Sequence, residues 1–537
     1  MSDVDIICVG FGPAAAGFLS VLAKEAAQIE SRAVPGMPLQ VICYERADDI
    51  GFGVSGVVTR ARGIRASMPD LDVSQIPMAS AVRTEKVAYL LDLIGASRRS
   101  GTLQLADGLI RQFGARDYAV ELPYIPPFLR KHDGFILSLG QFLQHVGGNL
   151  MGSGAVQIWP GSPVEQLLLE DGKVSGIRMV AGMDIRADLT VVGDGPVGVC
   201  GRQLNQAAPQ EWAVGMKMVV DLPEGAGLEQ GTVIHTFGFP EPEIFGFLYV
   251  HPGNVASVGI FVPSWLNAPA HTAYRYLQHF VKHPYLWRHL KGGRMRSWGA
   301  KSLQESGRRA EPVLAGDGWA RIGEGSGSTN VLTGSGVDEA WTTGTQLGEG
   351  VLELLRAGRP LDRAGLENAY VGRRRASWVE QEARIAERAR DGFHRGLLPG
   401  LFGMALTGFT NGKLAVGQAS RPAHHAAGRE ACPTWPEIAY DGQLLVSHQD
   451  ALLLGGKVQA TAGFEDHVRF TNPALCETCA DKLCAQMCSG QAIARGEGAV
   501  PTFDREKCVH CGACLWNCRQ GALDFRAGAG GLHSNEN

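Results

Sequence analysis

Hydrophobic and polar positions change period several times along the chain, and the changes mark out its elements. Asp5 to Val9 is an apolar run of strand length, Gly10 to Gly12 a glycine turn, and Ala14 to Ala27 carries apolar residues at helical spacing. Leu39 to Tyr44 is a second strand, closed by Glu45. Strand, turn, helix and strand in this order open an α/β unit. From about Gly51 to Ala310 the pattern turns β-rich, with strand-like patches at Lys173–Met179, Leu189–Val192 and Val255–Phe261 and a helix predicted over Thr272–His283. This stretch reads as a domain inserted between early and late pieces of the first fold. A glycine-dense segment, Gly323 to Gly350, runs into a helix ending near Leu355, and Glu367 to Arg390 predicts a charged, exposed helix. Gly396 to Gly417 then holds one charge, Lys413, in its 22 residues. Arg421–Glu437 is polar and Pro-rich, as a linker is, and the closing AGAGGLHSNEN is expected to fray.

Composition narrows the class. The 537 residues are 45% hydrophobic and 19% charged, which excludes a disordered chain and leaves room for two or three packed domains. Lys+Arg 50 against Asp+Glu 54 gives a formal charge of −4 without a polybasic block, so nucleic acid is not expected as a partner. The N-terminal MSDVDIICVG lacks the basic and apolar regions of a secretory signal, and a cytoplasmic location is expected. No apolar run reaches the ~18 residues that a spanning helix needs.

Glycine, 71 residues, is about twice its usual share, and three clusters account for its chemistry. Gly10, Gly12 and Ala15 spell G-x-G-x-x-A between a strand and a helix, with Pro13 and Ala14 between them. Gly10 permits the turn, Gly12 lets backbone approach a pyrophosphate, and small Ala15 lets helix pack on strand. Glu45, followed by Arg46, ends the next strand where an acid binds a ribose hydroxyl, and the long interval to it favours FAD over NAD. Gly193, Asp194, Gly195 and Gly198 form a second turn, which on its own fits either an NAD site with Asp221 ending the next strand, or the strand-end Asp-Gly element of FAD enzymes. A third element, Ala320–Gly327 with Gly323 and Glu324, tips the balance: three such turns in this order account for one FAD, and a helix N-terminus follows them.

Eight of the 12 cysteines crowd into two runs, Cys476-x2-Cys479-x4-Cys484-x3-Cys488 and Cys508-x2-Cys511-x2-Cys514-x3-Cys518. Thiolates in fours at this spacing suit two [4Fe–4S] clusters, and zinc or disulfides fit the pattern less well. Under the crossed rule of two-cluster ferredoxins, Cys476, Cys479, Cys484 and Cys518 hold one cluster and Cys488, Cys508, Cys511 and Cys514 the other. The usual following Pro is replaced by Ser489 and Arg519. His510, between ligands, reads as a hydrogen-bond donor or an exposed residue rather than a ligand, and Cys8, Cys43 and Cys200 as packing thiols. No Ser-His-Asp set, HExxH motif or Walker loop is present, and no acid–base residue is expected to be catalytic.

The motifs GFGPAAAG, PYIPPFLRKHDGFILSLGQFLQHV, VQIWPGSPVEQLLLEDGKVSGI, ADLTVVGDGPVG, GTVIHTFGFP, the Lys282–Pro284 KHP, WGAKSLQESG and IGEGSGSTNVLTGSGVDEAWTTG follow one another over most of residues 1–520. In this order they resemble the electron-transfer-flavoprotein:ubiquinone oxidoreductase family and its Fix-type relatives. The resemblance implies an α/β, glutathione-reductase-type FAD domain with an inserted β-rich quinone or substrate domain, over 1–420, with FAD pieces at about 1–70, 150–200 and 310–360. A linker at 421–465 and a small α+β ferredoxin-like module at 466–527 follow. It also implies flavin contacts at Ser55 and Gly56, in FGVSG, and at Gly334 and Gly336, in GSGVDEA; both turns depart from the family's His-containing forms. Cys488, Cys508, Cys511 and Cys514 correspond to the family's single cluster. The other four are a surplus over it and resemble the ligands of the two-cluster ferredoxin-like subunits that accompany Fix-type flavoproteins.

The expected activity is relay of electrons from a reduced electron-transfer flavoprotein, or a ferredoxin, to a quinone or other apolar small molecule. The family's apolar plateau falls on Gly396–Gly417 and Pro123–Leu129. Leu397, Leu398, Leu401, Phe402, Met404, Leu406 and Phe409 would enter one leaflet on the inner face of the cell membrane, a monotopic contact. Two rivals share the cofactors: a subunit of a Fix-type bifurcating complex linked to ferredoxin, and a ferredoxin-fused flavin reductase acting on an apolar double bond.

Overall fold

The computed structural model describes residues 2–95, 97, 99–112, 114–204, 211–264, 266, 272–417, 435–454, 467–518, 520–526 and 536. Most of the expected linker, 421–434 and 455–465, Arg519, and all of the tail from 527 on except Glu536 lie outside these residues.

A parallel sheet orders strands Trp319–Arg321, Asp184–Val192, Val4–Val9, Val41–Tyr44 and Gln157–Trp159 side by side. The unbroken apolar run VDIICV suits a strand covered on both faces. Ile6 and Cys8 pack with Phe18 and Leu19 of helix Pro13–Leu22, whereas Ile7 and Val9 pack with Val164, Leu167 and Val174 of an antiparallel meander. Cys8, Cys43 and Cys200 are fully buried, as packing thiols are. Register decides where the chemistry lies: Val9 pairs with both Tyr44 and Val192, and Val192 pairs with Arg321. Gly10, Glu45, Gly193 and Gly323 therefore leave the sheet at the same carboxyl edge, the ligand-binding edge of open α/β sheets.

The second layer is a seven-stranded sheet, Arg294–Gln304, Trp212–Asp221, Val255–Pro263, Phe245–His251, Thr232–Phe237, Thr84–Leu90 and Ala119–Glu121. Along Trp212–Asp221, Val214, Met216, Met218 and Val220 face a core made with helices Ala273–Val281 and Pro284–Leu290. The intervening Gly215 and Lys217 point the other way, into a cavity shared with the first sheet. The predicted Thr272–His283 helix is present as Ala273–Val281, with the Thr272 hydroxyl accepting from Arg275 N. Within the segment expected to link the modules, Trp435, Leu444, Val446 and Ala451 are buried against this second core.

The expected exposed helix over Glu367–Arg390 differs in two ways. It is broken into a π turn, Glu367–Val371, and helices Gly372–Arg375 and Trp378–Ala386. Arg374 and Glu380 are each 2% exposed. Their charges are paired, Arg374 with Glu311 and Glu380 with Arg308, Arg375 and Arg384. A high charge count marks a solvated face only when the charges lack partners.

The C-terminal module pairs Val468–Phe470 with Leu523–Phe525 and Ile493–Ala494 with Thr502–Phe503 around helices Pro473–Thr478, Leu483–Gln486 and Ala513–Asn517. It docks on the second sheet. Trp516 stacks on Trp212 with parallel rings 6.4 Å apart, its Nε1 donates to Ser302 Oγ at 2.8 Å, and Ser302 N donates to the Cys511 carbonyl at 2.9 Å.

Candidate functional site: a nucleotide cleft beside two thiolate sets

The three glycine turns interlock. A Cβ on Gly10, whose φ is +87°, would lie 2.9 Å from the Gly193 carbonyl oxygen, and one on Gly325 would lie 2.5 Å from that of Gly195. Only glycine lets these backbones meet. In contrast, a Cβ on Gly12, Gly195 or Gly334 would touch nothing within 4 Å, because these positions face open space. That space is two adjoining cavities, with Gly12, Pro13, Ser55, Gly193, Gly195 and Lys301 lining both.

Gly10, Glu45, Arg46 and Asp194 line the first cavity; Ala14, Gly56, Gly323, Glu324, Gly334 and Gly336 line the second. Of the expected flavin residues only Ala15 lies off the walls, buried under its helix where small size lets it pack. Glu45 accepts from Phe11 N at 2.7 Å and Ala47 N at 2.9 Å, so its carboxylate closes the first turn. Asp194 accepts from Cys200 N at 2.8 Å, and burial holds its carboxyl above the ordinary range. Glu324 accepts from Gln304 N at 2.9 Å and pairs with Lys301 at 3.3 Å.

Two helix N-termini open onto the cleft, that of Pro13–Leu22 at Gly12 and that of the twenty-residue helix Val337–Arg356 at Gly336. Their dipoles favour negative charge. Open glycine cradles, an acid at the strand end and two such termini fit an FAD, for which the first cavity would hold pyrophosphate and sugar and the second, the ring cavity, would hold the ring.

The ring cavity also holds residues that the glycine motifs gave no hint of. Phe247, Phe261 and Leu303 make an apolar roof, and Lys217, Gln304, Glu305 and Arg390 are among its polar members. A signal existed for Lys217, a lone charge in the apolar run MKMVV. It is 2% exposed, and burial pushes its ammonium down to about 7 while its Nζ donates to the Ser55 carbonyl at 3.0 Å.

The eight module cysteines are free and fall into two groups. Charges on Cys476, Cys479 and Cys518 act on Cys484, whereas Cys488, Cys511 and Cys514 share one neighbourhood with Cys508. The first group lies beside exposed Glu477, Thr478 and Ala480 and is the outer set; the second, beside buried Val509, His510 and Ala513, is the inner. Burial, followed by repulsion from neighbouring thiols, raises Cys484 to about 11 and Cys488 to about 12. Soft iron stabilises four crowded thiolates and releases their protons, so the donor sets fit iron–sulfur chemistry.

Arg46 connects the two regions. It lines the first cavity, and its charge acts on Cys508 and on His467. His467 was not legible in the sequence; its Nε2 lies 3.2 Å from Cys508 Sγ. His510 is buried rather than exposed and stacks on His467 with ring centres 4.2 Å apart.

Known proteins supply an independent comparison. Residues 212–303 match the family model "ETF-QO, ubiquinone-binding", and residues 501–524 match "4Fe-4S binding domain". Similar curated proteins include the electron transfer flavoprotein-ubiquinone oxidoreductase of Pseudomonas aeruginosa, 25% identical over 71% of this chain and 68% of its own length. The mitochondrial protein of that name from Arabidopsis thaliana is 25% identical over 95% of this chain and 81% of its own. Among solved structures, halogenase PltM has a TM-score of 0.52 at 15% identity, over 76% of this chain and 82% of that one. A PltM mutant in complex with FAD has a TM-score of 0.51 at 15% identity, over 73% and 77%. These likenesses bear on the fold, an α/β flavoprotein type. With the ubiquinone-binding match on its second sheet and the 4Fe-4S match on its C-terminal module, the chain is a relative of the electron transfer flavoprotein-ubiquinone oxidoreductases.

Proposed function

We propose that the chain takes electrons from a reduced electron transfer flavoprotein, passes them through two [4Fe–4S] clusters and FAD, and delivers them to ubiquinone at the apolar face of the ring cavity. The observation that carries this reading is the junction at Ser302. Lys301 lines both halves of the cleft, and its neighbour Ser302 is hydrogen-bonded to the carbonyl of Cys511, in the inner thiolate set. A route from thiolate to cleft along so few bonds suits single-electron transfer. FAD supplies the exchange between one- and two-electron steps.

The chain's own residues hold and orient. Gly10, Gly12, Gly193 and Gly195 cradle phosphate, Glu45 meets ribose, and Glu324 with Lys301 flanks the sugar chain. Ser55, Gly56, Gly334 and Gly336 border the ring, while Phe247, Phe261 and Leu303 exclude water and offer an apolar wall to a quinone. Cys488, Cys508, Cys511 and Cys514 hold the inner cluster; Cys476, Cys479, Cys484 and Cys518 hold the outer one.

Access for an apolar acceptor is supported by helix Leu397–Phe409. Leu398, Phe402 and Phe409 are exposed, and Phe409 meets Phe128 of the Pro123–Leu129 segment at 5.7 Å. On its inner side Met404 packs with Val331, which lines the ring cavity. Leu397 departs from the expected leaflet set: it is 2% exposed and packs with Phe237 and Phe393. Among the described residues no helix is long and apolar enough to cross a membrane; the contact in this reading is with one leaflet.

The test is anaerobic. Reduced electron transfer flavoprotein should bleach the flavin, and a short-chain ubiquinone should restore its absorbance; failure of both ends the proposal. The shallow position of the outer set also favours a second reading, exchange with a ferredoxin as in a Fix-type complex, which reduced ferredoxin as donor would reveal by bleaching the flavin faster.

A further inference from the structure

His467 lies one ring away from the junction between cluster and nucleotide, and the proposed relay gives it no role. It is 1% exposed and held on every side. The ring stacks on His510, with 18° between planes, and meets Phe503 and Phe525 edge-on at 5.2 and 5.3 Å. Its carbonyl accepts from Arg526 N at 2.8 Å. The Nε2 faces Cys508 Sγ at 3.2 Å, and the buried Nδ1 has no hydrogen-bond partner among the described residues. Because a thiolate accepts and does not donate, the imidazole proton belongs on Nε2.

Two backbone donors add to the same set, Ala492 N on Cys488 Sγ at 3.2 Å and His510 N on Cys508 Sγ at 3.4 Å. The His467 contact differs from these in being a side chain, so it can be removed without altering the main chain. Cys508 is also the ligand on which the charge of cleft-lining Arg46 acts.

We propose that His467 is a positioning residue for the inner cluster: its Nε2–H, hydrogen-bonded to the Cys508 thiolate, holds that cluster's reduction potential up and so draws electrons toward the flavin. This rests on the reading that Cys488, Cys508, Cys511 and Cys514 hold a cluster. Reduction adds one negative charge to the cluster and no bond is made or broken. Burial disfavours the more charged, reduced form and lowers the potential, whereas a hydrogen bond to sulfur strengthens as the charge grows and raises it. In a set as deeply buried as this one, His467 offsets part of the cost of burial.

The test is an EPR-monitored redox titration of the anaerobic holoenzyme as wild type, His467→Phe and His467→Gln. Iron and zinc are counted in each. In His467→Phe the inner-cluster signal should need a lower potential, about a tenfold smaller reduced-to-oxidised ratio where the wild type is half reduced, ~59 mV for a one-electron couple. The outer signal should stay in place, and His467→Gln, which keeps an N–H donor, should recover most of the loss. An unmoved inner potential in a fully iron-loaded His467→Phe overturns the proposal. So does stoichiometric zinc held by His467, Cys508 and His510, whose ligand atoms lie within 4.8 Å of one another. A wild type with no inner-cluster signal overturns instead the cluster assignment beneath it.

Discussion

Lys217 is the residue at which the ring cavity's electrostatics meet the stability of the fold. Buried on a strand with its Nζ at the Ser55 carbonyl, it has an ammonium pushed down to about 7 by burial, which the charge of Glu536 only partly offsets. In the unfolded chain the same group titrates near ~10.4. Below about 7 both states are protonated and the folded state bears the whole cost of the buried charge. From there up to about 10 the unfolded chain binds more protons, so stability attributable to this group rises with pH. Lys217→Met removes the titration. Its gain in Tm relative to wild type should be largest at pH 6 and should shrink by pH 9, whatever constant offset the lost hydrogen bond adds. Melting curves at the two values check this, and a pH-independent difference would refute it. At this scale the sequence was legible wherever a residue acts through its backbone. Gly10 could be named because a turn that must approach another backbone excludes every other residue type, and Gly12, Gly193 and Gly195 because a strand-end turn that is to admit a phosphate must leave its space open. Lys217, Phe247 and His467 could not, since their roles depend on which distant strand or ligand lies opposite.

Among the elements, helix Leu397–Phe409 shows how apolar composition and burial part company. Leu398, Phe402 and Phe409 stand at i, i+4 and i+11, one face of the helix, and are 51%, 63% and 60% exposed. The opposite face is held by close approach at Gly400, where a Cβ would meet the Phe393 ring at 2.1 Å, and a flank at Gly408, where one would meet the Phe128 ring at 2.4 Å. The run of apolar letters was legible as a surface plateau, but not its phase, so Leu397 was expected outside and packs inside. Glu367–Arg390 failed in part in the opposite sense: its charges read as solvated, yet Arg374 and Glu380 are buried and cross-link elements through ion pairs. For the membrane face the consequence is specific. Phe402→Glu and Leu398→Glu should each weaken flotation with anionic liposomes roughly tenfold, the loss expected from withdrawing one large apolar side chain from hydrocarbon. Because both side chains point away from the core, flavin content should be retained; flotation equal to wild type would remove the membrane contact from the proposal.

At the scale of the whole molecule, the order of redox stations follows from how the module docks. Trp516 on Trp212 and Ser302 on Cys511 press the inner thiolates against the second sheet, leaving the outer four beneath the exposed stretch around Glu477–Ala480. The cysteine runs were legible because they are local in sequence, and the thiols that the crossed rule would pair are neighbours in the fold. Which set faces the flavin was not, since that depends on a docking surface more than 150 residues away. In the proposed relay, clusters on an outer set at the surface and an inner set toward the cleft would make a series rather than two parallel inputs, and series and parallel wiring respond differently to a break. Cys484→Ser removes one outer ligand and leaves Trp516, Ser302 and Cys511, which make the docking contacts, unchanged. Iron should fall from about eight toward about four per chain, the expected content of one [4Fe–4S] cluster. Dithionite, a small reductant that does not need the outer set, should still bleach the flavin at the wild-type rate. Reduced electron transfer flavoprotein should bleach it at least about tenfold more slowly, because its electrons would have to cross the vacant outer station. Stopped-flow absorbance at the flavin band separates the cases. An undiminished rate with the natural donor would mean that electrons arrive at the inner cluster or the flavin directly, and that the outer cluster serves a different acceptor.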